Sequence, residues 1–276
     1  MAATVNTNIA SLNAQRNLSA SQNSLNTSIQ RLSSGLRVNS AKDDAAGLAI
    51  SQLMSAQARS MTVAIRNAND GISMAQTAEG GMVQIGDMLQ RMRELAMQSA
   101  NGTLTDTDRT ATLKKEYDDL VTEIDRIADT TKFNGVELIN GNGASTDFVV
   151  DIEGTNNITV DFSALDVSAG TLGVAAGDID DATSASAALA TIDQAIKDLN
   201  GHRATLGAAQ NRLNYTISNL QVAHENQMAS VSRIVDADFA VETANMTRGQ
   251  ILQQAGTAML AQANSMPNTV LQLLRG

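Results

Sequence analysis

The sequence predicts a mainly α fold: a long antiparallel helical bundle with coiled-coil pairing, forming an elongated rod with one small β-hairpin region. Three observations carry this expectation. Hydrophobic residues make up 43% of the 276 residues, yet aromatics make up only 2% and Trp is absent. The apolar content is therefore Ala, Leu, Ile, Val and Met, which let helices approach closely, where a globular core or ligand pocket would use more rings. A single proline, Pro267, leaves long helices uninterrupted. Finally, positions 189, 192, 196, 199, 203, 206, 210, 213, 217, 220, 224, 227, 231 and 234 keep an unbroken three-four alternation filled mostly by Leu, Ile and Val.

Each element has its own signal. Residues 4–36 read as an amphipathic helix with Val5, Ile9, Leu12, Leu18, Leu25, Ile29 and Leu32 as the apolar set. The stretch 34–46 carries Gly, Asn, Ser and paired Asp and reads as an irregular link. Helical periodicity resumes at Leu48 and runs through Leu53, Met61, Ile65, Ile72, Met82, Ile85, Leu89 and Met92 to about Ala100. Gly71, Gly80, Gly81 and Gly86 interrupt it, each at a cost of about 1 kcal/mol to an isolated helix, which packing has to offset. A break follows at Asn101-Gly102, with Asp106 or Asp108 placed to cap the next helix. Leu113, Tyr117, Leu120, Ile124 and Ile127 then form a heptad seam, and Asn134-Gly135 marks a turn.

Between 136 and 175 the pattern becomes β-favouring. Phe148–Ile152 and Ile158–Phe162 flank a turn-rich segment and read as a hairpin, the most acidic part of the chain and the expected outer surface. The 189–234 seam implies a helix of roughly 70 Å with left-handed partners; Arg203, Gln210, His224 and Gln227 are its polar intruders. A final helix over 236–266 carries Leu252, Ala255 and Met259, and an apolar tail over 267–276 follows Met266 with Val270 and Leu273. Chain ends are normally polar and frayed. Apolar ends must be buried against each other or against further copies, so the expected domains are 1–45 with 235–276, bearing the inter-copy contacts, and 46–234.

Composition excludes several functions. A net charge of −10 argues against nucleic-acid binding. Residues 1–41 carry Arg16, Arg31 and Arg37 and no acid, whereas 144–196 carry nine acids and no Lys or Arg, which reads as a solvated surface. Without cysteine there is no disulfide, thiol catalysis or Cys-based zinc site. No stretch is apolar for long enough to insert into a membrane, and no charged segment followed by a hydrophobic block marks a cleaved secretory signal. No catalytic constellation, metal site or cofactor site is expected. His202 and His224 lie about 30 Å apart on one predicted helix, and Gly170-Thr171-Leu172-Gly173 lacks the Lys-Ser/Thr of a phosphate loop. Asp43 and Asp44 are expected to pair with Lys42 and Arg37, and the 12 methionines to fill cores and interfaces.

Four stretches of the chain carry a family resemblance. LSSGLRVNSAKDDAAGLAIS (32–51), LQRMRELAMQSANGT (89–103) and FNGVELI (133–139) resemble the N-terminal signatures of bacterial flagellins; ETANMTRGQILQQAGTAMLAQANSMPNTVLQLL (242–274) resembles their C-terminal signature. The resemblance covers roughly 1–140 and 185–276 and leaves only 140–185 for the family's variable region. It implies a structural subunit that polymerises into the flagellar filament, with both termini paired as an inner helical domain around a channel and 34–46 as a spoke. Leu18, Leu25, Ile29, Leu32, Leu252, Met259, Met266, Val270 and Leu273 are then the self-assembly residues. It further implies export through the flagellar type III apparatus without a cleaved signal, an export chaperone, a filament cap, hook-junction neighbours, and O-glycan candidates among the Ser and Thr of 145–186. Periodicity turns Leu89 and Met92 inward and places Arg91 and Leu95 on another face, as a protofilament contact. In the family this stretch is also bound by the vertebrate innate immune receptor for flagellin, which implicates Gln90, Arg91, Leu95 and Glu116. A hook–filament junction protein with similar ends is the alternative; a hydrolase on a helical rod would need a catalytic cluster that the sequence lacks.

Overall fold

The computed structural model describes residues 7–101, 105, 107 and 109–273, with side chains as far as residue 266. Val5, Gly102, Asp106, Asp108 and the side chains of Val270 and Leu273 lie outside the described residues. The helices are α1 (Ile9–Ser34), α2 (Ala45–Ser99), α3 (Lys114–Thr130), α4 (Ala182–Val235) and α5 (Phe239–Leu273). A π-helical turn, Arg109–Leu113, precedes α3, and a 3-10 turn, Val174–Ala176, precedes α4. Strands β1 (Lys132–Phe133), β2 (Val136–Glu137), β3 (Ser145–Val149) and β4 (Asn157–Asp161) form two separate antiparallel hairpins. The chain divides into two compact units, Met1–Ala56 with Asn226–Gly276, and Gln57–Glu225. These divisions fall within α2 and α4, whereas the sequence-based boundaries lie at the ends of the same helices.

In the Gln57–Glu225 unit, α2 and α4 pair through complementary seams. Ile192, Leu199, Leu206 and Leu213 of α4 are fully buried, and Leu189, Ile196, Arg203 and Gln210 between them are half-buried. The facing row on α2 includes Ala58, Met61, Ala68, Ala75, Met82 and Leu89, all buried. Glu79 answers two of the polar intruders: its carboxylate lies 3.6 Å from the Arg203 guanidinium and accepts from Gln210 at 3.2 Å. Three of the four helix glycines mark close approach. A Cβ would lie 3.1 Å from the Phe148 ring at Gly71, 2.9 Å from Ile139 at Gly81 and 3.3 Å from Leu199 at Gly86. Gly80 faces open space, and nothing in the structure explains it.

The α3 seam is present as expected, with Tyr117 and Ile124 fully buried and Leu120 and Ile127 half-buried. Asn134 (φ 49°) and Gly135 (φ 82°) form the two-residue turn between β1 and β2, both in the left-handed region that this turn demands. In the second hairpin Phe148 pairs with Ile158 and Thr146 with Val160. The first strand stops at Val149 rather than running to Ile152. The Asp151 carboxylate accepts from the Ile152 N–H at 2.7 Å, the Thr155 hydroxyl at 3.2 Å and the Asn156 amide at 3.0 Å, folding the chain into a turn.

The 136–179 segment is more than an outer surface. Leu138, Ile139, Phe162, Val167, Val174 and Ile179 are fully buried in the same core as α2, α3 and α4, while Asp147 and Asp161 stay exposed. Burying the apolar half of an alternating pattern sends its acids outward. Polar side chains fix the edges of this packing. Arg109, 5% exposed, donates to the Ser99 and Asn101 carbonyls at 2.9 Å each, satisfying the end of α2. Lys114 bridges Asp178 at 3.0 Å and Asp180 at 2.8 Å. The Tyr117 hydroxyl donates to the Val174 carbonyl at 3.0 Å, and a Cβ on Gly177 would overlap it. Asp181 caps α4, accepting from Thr183 N–H at 2.7 Å and Ser184 N–H at 2.8 Å.

Two titrations follow. Burial pushes the Tyr117 hydroxyl up to about 12 from an ordinary 10.0. The folded form thus holds this proton more tightly, and the associated stability is constant below pH 10 and lost as pH rises through 12. In a Tyr215→Phe background, phenolate absorbance should therefore appear near pH 12 rather than 10, and Tyr117→Phe should remove that step. The hydrogen bonds from Ser184 and Thr183 hold Asp181 below the usual 3.8, so its contribution is present above that pH and fades as pH falls below it. Asp181→Ala should lower the thermal midpoint at neutral pH and flatten the acid limb of stability.

Candidate functional site

The unit formed by the two chain ends is a pair of antiparallel helices, α1 and α5, and its seam is made of small residues. Gly249, Gly256 and Ala263 recur every seventh residue of α5. A Cβ on Gly249 would stand 3.1 Å from Leu25 and one on Gly256 3.0 Å from Leu18. Opposite them α1 buries Leu25, Ser11 and Ser28, with Leu18 and Leu32 half-buried. Polar contacts close both ends. Asn8 caps α1 through the Ser11 N–H at 3.0 Å and donates to the Ala263 carbonyl at 2.7 Å, and the Ser11 hydroxyl donates to Asn264 at 2.8 Å. At the other end Arg31, in the last turn of α1, pairs at 3.1 Å with Glu242, in the first turn of α5, each suited to the helix dipole it faces. Glu242 is 6% exposed; its Oε2 and the Arg31 Nε lack partners among the described residues.

The small residues fill the seam, and the large ones flank it at its rim. Leu252 is 48% exposed, Met259 64% and Met266 55%, again at seven-residue spacing, and Ile29 on α1 is 46% exposed. By spacing, Leu273 continues that row, whereas Val270 continues the Gly249–Gly256–Ala263 row. The expected self-assembly set thus divides. Leu18, Leu25 and Leu32 are engaged within the chain, and Ile29, Leu252, Met259 and Met266 remain on the surface. The Gly249–Gly256–Ala263 row and the Arg31–Glu242 pair escape the sequence reading because glycine and charged side chains carry no apolar signal. The seven-residue recurrence of Gly and Ala is the signal that reveals them.

The link between α1 and α2 is held without the expected ion pairs. Gly35 ends α1 in the left-handed conformation (φ 73°). Arg37 donates to the Ile234 carbonyl, and Lys42 is exposed with no ion pair among the described residues. Asp43 accepts from Asn39 N–H at 3.2 Å and from Ser40 N–H and hydroxyl at 2.9 Å, which hold its carboxyl below the usual range, the Ser40 bonds foremost. Asp44 caps α2 through the Gly47 N–H at 2.8 Å. These short local bonds satisfy both carboxylates before a long cation can reach them.

In the other unit Gln90 and Arg91 are exposed on α2. Arg91 donates to Glu116 at 2.8 Å and to Glu94 at 3.0 Å, and Glu116 above all holds its guanidinium more basic than usual. Arg93 pairs with Asp193 at 2.7 Å, which keeps that carboxyl below its usual range. Leu95 does not share the Arg91 face: it is 1% exposed, buried with Met92 and Ala96 in the common core. Two elements, α3 and α4, pack on α2 here, so its buried stripe is wider than a single seam. Among the described residues no group of three His, Asp or Glu is placed to hold a metal, and no helix is long and apolar enough to cross a membrane.

Comparison with known proteins agrees with this geometry. The bacterial flagellin N-terminal helical region matches residues 5–144, and the bacterial flagellin C-terminal helical region matches residues 189–274. The stretch between them holds the whole β3–β4 hairpin. A flagellin of Halalkalibacterium halodurans is 47% identical over 271 residues, covering 98% of this chain and 99% of the relative. Flagellin A of Vibrio cholerae is 38% identical over 380 aligned positions spanning both chains in full, so this chain, at 276 residues, is the shorter. The crystal structure of Bacillus cereus flagellin is similar with a TM-score of 0.51 at 32% identity, over 56% of this chain and 88% of that one. A Vibrio parahaemolyticus protein described as flagellar hook-associated, 18% identical with a TM-score of 0.56, shares the fold alone. The chain belongs to the bacterial flagellin family, as a short member, and is a structural subunit of the motile, extracellular flagellar filament rather than an enzyme.

Proposed function

We propose that polymerisation buries the outward row of α5, Leu252, Met259 and Met266 and by spacing Leu273, together with Ile29 of α1, between neighbouring copies. The supporting observation is the division of α5 into a small-residue row engaged with α1 and a large apolar row left in water. A row on one surface that meets a different surface on the next copy makes a heterologous contact that propagates as a helix. In this reading 1–45 and 235–276 line the filament core, 34–46 is the spoke, and 46–234 form the outer part. Leu18, Leu25 and Leu32 act indirectly, by holding α5 in place. Val270 and Leu273 extend the two rows toward the chain end.

Export in unfolded form and without a cleaved signal accords with a chain that has no cysteine to cross-link it. The further partners we propose are an export chaperone, the filament cap, hook-junction proteins and the vertebrate innate immune receptor for flagellin. The receptor contact centres on Gln90, Arg91 and Glu116. Leu95 supports that surface from beneath. The nearly full-length match to a flagellin supports the filament subunit over a hook-junction protein.

Polar replacement of the outward row tests the assembly reading. Fully burying a Leu or Met side chain is worth about 1.5–3 kcal/mol, and Leu252 and Met259 have 48% and 64% of their surface left to bury, so Leu252→Gln with Met259→Gln should raise the critical concentration for seeded polymerisation by at least about tenfold. The folded monomer should be little affected, because both side chains are already exposed. Deleting 267–276 should leave the Gln57–Glu225 unit folded, by hydrogen exchange, and abolish filaments in electron micrographs. Normal filaments from either variant would reject the assignment. For the receptor surface, Arg91→Ala monomer should lose most of its reporter response, and full activity would remove Arg91 from the contact.

A further inference from the structure

The outward row of α5 carries two sulfur atoms where Leu would serve for packing. The chain has 12 methionines and no cysteine, so thioethers are its only readily oxidised sulfur. Met61, Met74, Met82 and Met92 are at most 5% exposed and sheltered in the fold. Met259 and Met266, at 64% and 55%, are among the most exposed, one heptad apart on the row that assembly is proposed to cover. Met259 also lines the groove between α5 and α1, beside Leu252, Gly256 and Leu18.

Resting on that assembly reading, we infer that Met259 and Met266 are oxidative modification sites through which a peroxide gates polymerisation of the free subunit. The thioether lone pair attacks one peroxide oxygen. An S–O bond forms, the O–O bond breaks, and the other oxygen leaves as water. Sulfur is oxidised by two electrons and the peroxide reduced by two. The product is a polar, chiral sulfoxide with a strong acceptor oxygen. In water that oxygen is solvated at no cost, so the monomer keeps its fold. In an apolar contact between copies it lacks a donor, and burial is penalised. The penalty recurs at every subunit of the lattice. Assembly conversely excludes the oxidant, so the filament protects the sulfur that the monomer exposes. The device therefore acts between synthesis and incorporation and spares finished filament.

The experiment uses the full chain and hydrogen peroxide. Monomer is treated, sulfoxide at each methionine is measured by peptide mass spectrometry, and seeded polymerisation is followed. Monomer oxidised at Met259 and Met266 should show a critical concentration at least about tenfold higher, equivalent to about 1.4 kcal/mol, and a methionine sulfoxide reductase should restore it. The variant M259L with M266L, compared with its own untreated sample, should show no rise in critical concentration after the same treatment. Parent filaments given peroxide should carry far less sulfoxide at these two positions than monomer does. Oxidised parent that assembles at an unchanged critical concentration overturns the inference alone, as does a Leu variant that peroxide inhibits equally, which would move the effect to Met97 or Met228. Untreated parent that forms no filaments overturns the assembly reading itself.

Discussion

The closeness of α1 to α5 governs the rest of the terminal unit. Two helices can approach until backbone atoms nearly touch only where one of them lacks side chains, and Gly249 and Gly256 supply that opening to Leu25 and Leu18. This pairing has a geometric corollary. A helix that faces its partner with glycine has no room in the contact for its large apolar residues, so Leu252 and Met259 line the rim of the groove beside it and stay partly in water. The exposed row of α5 is thus a by-product of the seam, and one sequence period encodes both. The buried Arg31–Glu242 pair adds a different kind of information. With two of its polar atoms unpartnered among the described residues, it contributes little net stability, but a shifted register would strand a buried carboxylate, so it favours one alignment.

The Gln57–Glu225 unit solves the opposite problem. Its core must be closed with almost no aromatic side chains. Leu and Ile alternate with Ala and Met along the α2–α4 seam, and the chain from Leu138 to Ile179 covers the remaining apolar surface. Helix ends are tied off individually: Arg109 at the end of α2 and Asp181 at the start of α4. Each of these side chains satisfies backbone groups that a long helix leaves open, so long helices are compatible with a small unit.

Much of this was legible because periodicity is a one-dimensional signal. The three-four alternation of 189–234 placed a side of α4 correctly, including Arg203 and Gln210, whose polarity is explained by the single carboxylate of Glu79. The Asn134-Gly135 turn and the second strand of the second hairpin are equally plain. What escaped depends on more than one element at a time. Leu95 was assigned outward because a single seam on α2 was assumed, whereas neighbours on two sides bury it. Val150 and Ile152 have strand-forming side chains, yet Asp151 offers the backbone a better local partner. The acids at 43 and 44 were matched to cations by charge, when nearby N–H groups lay within easier reach. The assembly residues divided for a similar reason, since hydrophobicity does not distinguish a Leu that meets glycine from one that meets water.

The scarcity of rings also decides how this molecule can be watched. Both tyrosines, Tyr117 and Tyr215, belong to the Gln57–Glu225 unit, and there is no tryptophan anywhere. The paired termini contain one aromatic residue, Phe239, which is 64% exposed. Intrinsic fluorescence therefore reports on one unit and is blind to the other: α1 and α5 emit almost nothing. An unchanged emission spectrum during assembly is no sign that the ends stayed as they were, and light scattering or a label near α5 is needed to see them.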